Sequence, residues 1–264
     1  MTGTELQSEY EAICREWLSN EISSEENLDA VLHNFRILFA YNSNVIENPQ
    51  TTIHDTREIF ENGKVINFTG DLRTLFEIEN QKNCYEYLKA YIIRREPLSS
   101  ELICSIHKKL MAKCYDESRY QKGERPGTFK LHDYITGDGV GTPPEDVHEE
   151  ISELCREVND FDGSGADVLT AGAYLHLVFE SIHPFADGNG RVGRTLMNYY
   201  FMTHGHPPLI IFEDNKDTYY AALAVFDKTG KVDGFKLFLK EQTVRTWKRE
   251  NISRKNLNAY LQGR

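Results

Sequence analysis

The chain has 264 residues, 40% hydrophobic and 27% charged, enough for one domain with a sizeable core. No run approaches the roughly 20 apolar residues of a membrane span, and the polar, acidic start Met1 to Glu11 lacks the basic and apolar regions of a signal peptide, so a cytoplasmic protein without a membrane partner is expected. A net charge of −11 argues against broad nucleic-acid binding, and five cysteines with no Cys-x-x-Cys spacing argue against a disulfide framework or a structural zinc site.

Apolar residues recur at three- and four-residue spacing and alternating strand patterns are scarce, which predicts an all-α fold. Helices are predicted near Glu5 to Leu18 and Glu26 to Tyr41; the second runs into Asn42 to Asn48, where Pro49 stops it. A long helix from Asp71 to Arg94 follows, then one from Ser99 to Cys114. The Gly-rich stretch Gly123 to Gly141 holds the one β-capable segment, Thr128 to Thr136, with His132 and Asp133 able to turn a small hairpin. Pro143 and Pro144 reopen helix as far as Phe161. The loop Asp162 to Gly165 precedes a helix from Asp167 to Ile182, and another runs from Gly190 to Gly205. Helices near Asp217 to Phe226 and Val232 to Arg249 complete the chain. The division expected is 1–60 for N-terminal helices, 61–250 for the main domain and 251–264 for a solvated tail.

The stretch His183-Pro184-Phe185-Ala186-Asp187-Gly188-Asn189-Gly190-Arg191-Val192-Gly193-Arg194 carries the chemistry. Glycines on either side of Asn189 let the backbone turn tightly against a ligand. The helix that starts there points free N–H groups and the positive end of its dipole outward. Arg191 and Arg194 add fork-shaped donors for phosphate oxygens. Asp187 supplies a hard carboxylate suited to Mg²⁺, and His183 can accept a proton near neutral pH. Acceptor activation, metal, anion cradle and charge neutralisation are what displacement at phosphorus needs. Gly188-x-Gly190-x-x-Gly193 also fits the dinucleotide fingerprint, but the segment before it has helical periodicity and no strand–helix alternation surrounds it.

These residues match every fixed position of the Fic motif, H-P-F-x-D-G-N-G-R-x-x-R, and the chain resembles that family over roughly residues 25 to 245. The resemblance includes Gly127-Thr128-Phe129-Lys130 and the segment Tyr219 to Leu223. It implies an α-helical bundle with a β-hairpin flap over the active site, and transfer of AMP from ATP to a Ser, Thr or Tyr hydroxyl of a protein. By the same resemblance His183 takes the proton of the incoming hydroxyl and Asp187 holds Mg²⁺ between the α- and β-phosphates. Gly188, Asn189 and Gly190 form the anion cradle with the helix start through Val192 and Gly193, Arg191 and Arg194 neutralise the phosphate tail, and Phe185 anchors the loop. The flap residues Tyr134, Ile135, Thr136 and Gly137 align the target by strand addition, and Tyr219 and Tyr220 line the nucleotide pocket. The kinase branch of the family has Lys in place of Gly190 and phosphocholine-transferring relatives depart at the first loop glycine; this chain keeps both. Relatives often dimerise, which implies a homodimer.

Ser43-x-x-x-Glu47-Asn48 is by itself a weak pattern, since a solvated glutamate at a helix end reads the same way. Beside a complete Fic loop it resembles the family's inhibitory motif, (S/T)-x-x-x-E-(G/N), in the branch that carries it before the catalytic core. The resemblance implies that Glu47 pairs with Arg194 and disfavours productive ATP binding; loss of alignment is costly in rate even where binding survives. Some relatives also use this glutamate to position water and remove AMP. The rival readings are transfer of another nucleotide such as UMP and a module that holds nucleotide without turnover; the complete acceptor-activating set speaks against the last. The remaining eight histidines have no ligand spacing and read as structural or surface residues.

Overall fold

Helix caps set the element boundaries. Thr2 accepts from the Glu5 amide while Glu5 reaches back to Thr2, a capping box that starts α1 (Gly3–Ser19). Ser24 caps α2 (Glu25–Val31), and Leu32, in a non-helical conformation, separates it from α3 (His33–Val45). The single helix expected from Glu26 to Tyr41 is therefore two, joined at a residue with neither Gly nor Pro beside it to announce the break. Thr52 caps α4 (Ile53–Asn62), which ends at Gly63 with φ 72°. Asp71 caps α5 (Leu72–Arg94) and Ser99 caps α6 (Ser100–Leu110). The short α7 (Glu117–Gln121) starts at Asp116. Then come α8 (Val147–Asn159), α9 (Val168–Ile182), α10 (Asn189–Thr203), α11 (Lys216–Thr229) and α12 (Asp233–Gln262). The backbone of α12 is helical past Arg249 to Gln262, through the segment expected as a solvated tail.

This computed structural model describes residues 2–135, 139–161 and 168–262, with side chains up to residue 248. Thr136 and Gly137 of the expected flap and the loop Asp162 to Gly165 lie outside the described residues. Among the described residues there is no strand, so the expected β-hairpin is not seen in Thr128 to Ile135. No described helix is long and apolar enough to cross a membrane.

The core is built around α10, whose side chains from Val192 to Phe201 are all buried. It packs chiefly on α9, where Gly172 lets the Phe201 ring approach so closely that a Cβ there would lie 2.2 Å from it. On its other sides α10 meets α3, α5 and α6. One continuous apolar cluster joins these helices, with Phe185 fully buried inside it. Removing the buried hydrophobic side chains of this cluster from water supplies the main stabilising term, at about 25 cal/mol per Å². The N-terminus of α10 and the C-terminus of α3 thereby end beside one another, and that juxtaposition creates the site.

Candidate active site

Between α9 and α10 the chain turns through His183 to Gly188. His183 is in the left-handed region, φ 51°, which costs a non-glycine residue about 1–2 kcal/mol. Phe185 anchors the turn: its ring stacks on His107 at 3.7 Å between centroids. Asn189 closes the loop on itself, its amide donating to the Phe185 carbonyl at 2.8 Å and its oxygen accepting from the Phe185 N–H at 2.9 Å. His107 Nδ1 accepts from Gly127 N–H at 2.8 Å, which leaves the proton on Nε2 to be donated to the Asp187 carbonyl at 3.0 Å. Burial holds His107 down at about 3, so it stays neutral and structural. Gly188 caps α10 with φ 86°, where a Cβ would strike Met111 at 2.5 Å.

The loop opens onto a cleft of about 600 Å³. His183, Asp187, Gly188, Asn189, Gly190 and Arg191 line it, with Tyr134 and Ile135 on one rim and Glu47 and Asn48 at its inner end. Burial and the neighbouring Lys130 ammonium lower His183 to about 4, so its imidazole is neutral and free to accept a proton. Lys130 is itself buried; it donates to the Val140 carbonyl at 3.0 Å, and its backbone N–H to the Pro184 carbonyl at 2.9 Å. Burial works to raise the Asp187 carboxyl, but Arg191, Arg119 and Arg73 outweigh it and hold it below the usual carboxylate range. Arg73 donates to Asp187 Oδ2 at 3.0 Å, with Arg119 at 3.5 Å and Arg191 at 3.6 Å from the same carboxylate.

Among the described residues no three His, Cys, Asp or Glu side chains gather to hold a metal. Asp187 is thus a lone ionised carboxylate beside an anion cradle. That donor set fits Mg²⁺, which takes one protein carboxylate together with waters and phosphate oxygens, and does not fit a cage-bound metal.

The second half of the motif turns inward. Val192 and Gly193 are buried away from the cleft, and the Gly193 Cα faces the buried carboxyl of Glu180, which burial raises to about 8. Arg194 is 1% exposed and is met by α3. Its Nε donates to Ser43 Oγ at 3.1 Å, and its Nη2 to the Ser43 carbonyl and to Glu47 Oε1, both at 2.8 Å. Its Nη1 is buried without a partner. Burial tends to raise the Glu47 carboxyl, but the Arg194 guanidinium overrides this and keeps it ionised. Walled by protein yet facing the open cleft, the Glu47 side chain remains 32% exposed. Asn48 donates to Thr74 Oγ1 at 3.0 Å and to Glu77 Oε2 at 2.8 Å. Lys216 donates to the Ile46 carbonyl, pinning the end of α3 to α11.

Ser43 and Glu47 thus meet the end of the loop at Arg194, while Asn48 bonds α5 beside it. Tyr219 does not line the cleft: it is 1% exposed, its hydroxyl and His176 Nε2 share a hydrogen bond at 2.9 Å, and its ring lies 5.9 Å from the Arg194 guanidinium. Its ring supports Arg194. Tyr220 is 40% exposed, with Lys216 over its ring. Sequence reasoning missed Glu77, Arg73 and Arg119. The first two stand four apart on α5 and read as an ordinary solvated helix pair.

Gly190 has no room for a side chain while Glu47 is seated: a Cβ would lie 2.4 Å from Glu47 Oε1 and 3.0 Å from Arg194 Nη1. Gly190→Ala is therefore expected to cost about 1–3 kcal/mol of stability in the native chain and much less once Glu47 is glycine. Thermal unfolding of the four proteins of that cycle measures it; an equal cost in both backgrounds would mean that Glu47 is not the obstacle.

The fold and the site together define a helical protein in which a glycine-flanked helix start and an imidazole line one cleft. Residues 97–201 match the model of the Fic/DOC family. It is 26% identical over 213 residues to the protein adenylyltransferase fic-1 of Caenorhabditis briggsae, covering 79% of this chain and 40% of that protein. The chain thus spans about 40% of the length of that relative. Among solved structures, residues 134–508 of Fic-1 from Caenorhabditis elegans share the fold at a TM-score of 0.77 and 23% identity, covering 95% of this chain and 72% of that one. A Fic domain containing signaling protein from Bacteroides thetaiotaomicron does so at 0.76 and 22%, covering 90% and 93%.

Proposed function

We propose that this cleft transfers AMP from Mg-ATP to a Ser, Thr or Tyr hydroxyl of a protein, and that Glu47 holds the reaction in check. The observation that carries the reading is the common cleft of His183, Asp187 and the Gly188–Arg191 helix start, closed at its inner end by Glu47 on Arg194. The name of its Caenorhabditis relative, protein adenylyltransferase, supports it. In the reaction the hydroxyl oxygen bonds to the α-phosphorus, the bond to the β-phosphate oxygen breaks, and pyrophosphate leaves. His183 takes the hydroxyl proton, which it can do because it starts neutral. Arriving polyphosphate raises its proton affinity, since nearby negative charge favours the imidazolium. The N–H groups at the start of α10 and the Arg191 guanidinium hold phosphate oxygens. Asp187 would hold Mg²⁺, which would supply charge neutralisation at the leaving phosphates. Arg194 takes the far end of the tail when Glu47 has left it. Tyr134 and Ile135 on the cleft rim, the latter 87% exposed, are where an extended target segment docks under the flap.

Incubating the Glu47→Gly protein with ATP labelled on either the α- or the γ-phosphate tests the reading. The α-label is expected on protein and the γ-label in pyrophosphate. A protein-bound γ-label would make the enzyme a kinase, and unlabelled UTP that competes as well as ATP would remove the preference for adenine.

A further inference from the structure

Glu77 is a carboxylate that the reaction above does not use, and it is 2% exposed. Three groups from three elements converge on it. Its Oε1 accepts from Arg191 Nη1 at 2.8 Å and from Arg73 Nε at 3.0 Å, while Oε2 accepts from Asn48 Nδ2 at 2.8 Å. Arg73 continues to Asp187 Oδ2 at 3.0 Å. Arg191 is itself 3% exposed, its Nε has no partner, and its other acidic neighbour, Asp187, stands 3.6 Å away. A buried guanidinium must keep an acid beside it, because leaving it uncompensated costs several kcal/mol.

We propose that Glu77 is the positioning residue that couples the brake to the phosphate cradle. With one oxygen it holds Arg191 and so keeps that guanidinium from closing on Asp187; with the other it holds Asn48 and so keeps Glu47 opposite Arg194. This rests on the reading of the cleft as a nucleotide site. If Glu77 loses its charge, Arg191 turns to Asp187, its nearest remaining acid, and covers the oxygen that the metal needs. Asn48 Nδ2 keeps only the Thr74 hydroxyl, its Oδ1 still accepting from the Gln50 N–H, and the residue after Glu47 loosens. Arg73, engaged with both carboxylates, reports the same rearrangement from the cleft rim.

The experiment compares MgATP and metal-free ATP binding by calorimetry in the Glu47→Gly protein with and without Glu77→Gln. The added substitution is expected to weaken MgATP by about 10-fold or more, as loss of a residue supporting a metal ligand does, and metal-free ATP by only about 2-fold. Equal weakening of both, or no weakening, would overturn the role at Asp187. Asn48→Ala leaves the Glu77–Arg191 pair in place and keeps the test open even if Glu77→Gln fails to fold. In the otherwise native chain it is expected to raise α-label transfer by about 10-fold, the return on one lost charge-assisted hydrogen bond, while leaving MgATP affinity unchanged in the Glu47→Gly background. An unchanged transfer rate would overturn the coupling to the brake. If the Glu47→Gly protein binds MgATP but transfers no label, the proposed reaction fails while the Glu77 binding comparison still stands; if it binds no MgATP, both fall.

Discussion

Replacing Glu47 with Gly is expected to raise transfer of α-label from ATP by about 10- to 100-fold. One guanidinium decides the effect. Arg194 is buried, and in the resting chain it spends its fork on Ser43 and Glu47. A polyphosphate tail arriving at the start of α10 must either do without Arg194 or displace Glu47, and the carboxylate adds its own negative charge to the place the tail would occupy. Glu47 faces the cleft and is partly screened by solvent, so the pair is worth about 2 kcal/mol, less than a fully buried one. That figure corresponds to about 30-fold in an equilibrium. Removing Glu47 also strands Arg194, whose Nη1 already lacks a partner. The Glu47→Gly protein is thus expected to unfold at lower temperature without nucleotide, and to gain more in melting temperature from MgATP than the native chain does, by linkage. Transfer that stays at the native level would remove the brake.

The second large effect is at His183. In the Glu47→Gly background, His183→Ala is expected to lower transfer by about 10²- to 10⁴-fold, the range for loss of a general base, with MgATP affinity changed by no more than about 3-fold. The imidazole lines the cleft from a left-handed backbone position whose cost makes sense only if that aim matters. The pH profile separates this base from an ordinary histidine. Burial and Lys130 set the free enzyme's His183 at about 4, so kcat/KM of the Glu47→Gly protein stays level from pH 8 to pH 6 on its account and falls only as the pH approaches 4. A profile that halves near 6.5 would place the base in solvent-like surroundings. Persistent transfer by the double variant would assign the proton to another group.

The loop was legible because it is contiguous. From His183 to Arg194 the spacing of glycines, acid and arginines dictates a cradle at a helix start, and the helices on either side end where Ile182 and Gly205 say they should. The Ser43–Asn48 pattern was legible only beside that loop. Ser43 and Arg194 are 151 positions apart, and nothing within either segment says they meet. Glu77 was not legible at all: buried and exposed glutamates look alike on an amphipathic helix until the partner element is placed. The same holds for Tyr219, where the first tyrosine of the pair turned out to face the core and the second solvent. The break at Leu32 has no local residue to mark it; α2 and α3 each pack on α5. By contrast α4, which no expectation covered, carries a readable start in Thr52 and Asp55 and a readable stop in Gly63.

The claim that everything else depends on is that one buried arginine serves both Glu47 and the far end of a nucleotide's phosphate chain. Dissociation constants for MgATP and for AMP, each measured on the native and the Glu47→Gly proteins, test it. The account predicts that the substitution tightens MgATP by about 10-fold or more and leaves AMP, which has no far phosphates, unchanged. An equal gain for both ligands, or for neither, would contradict it.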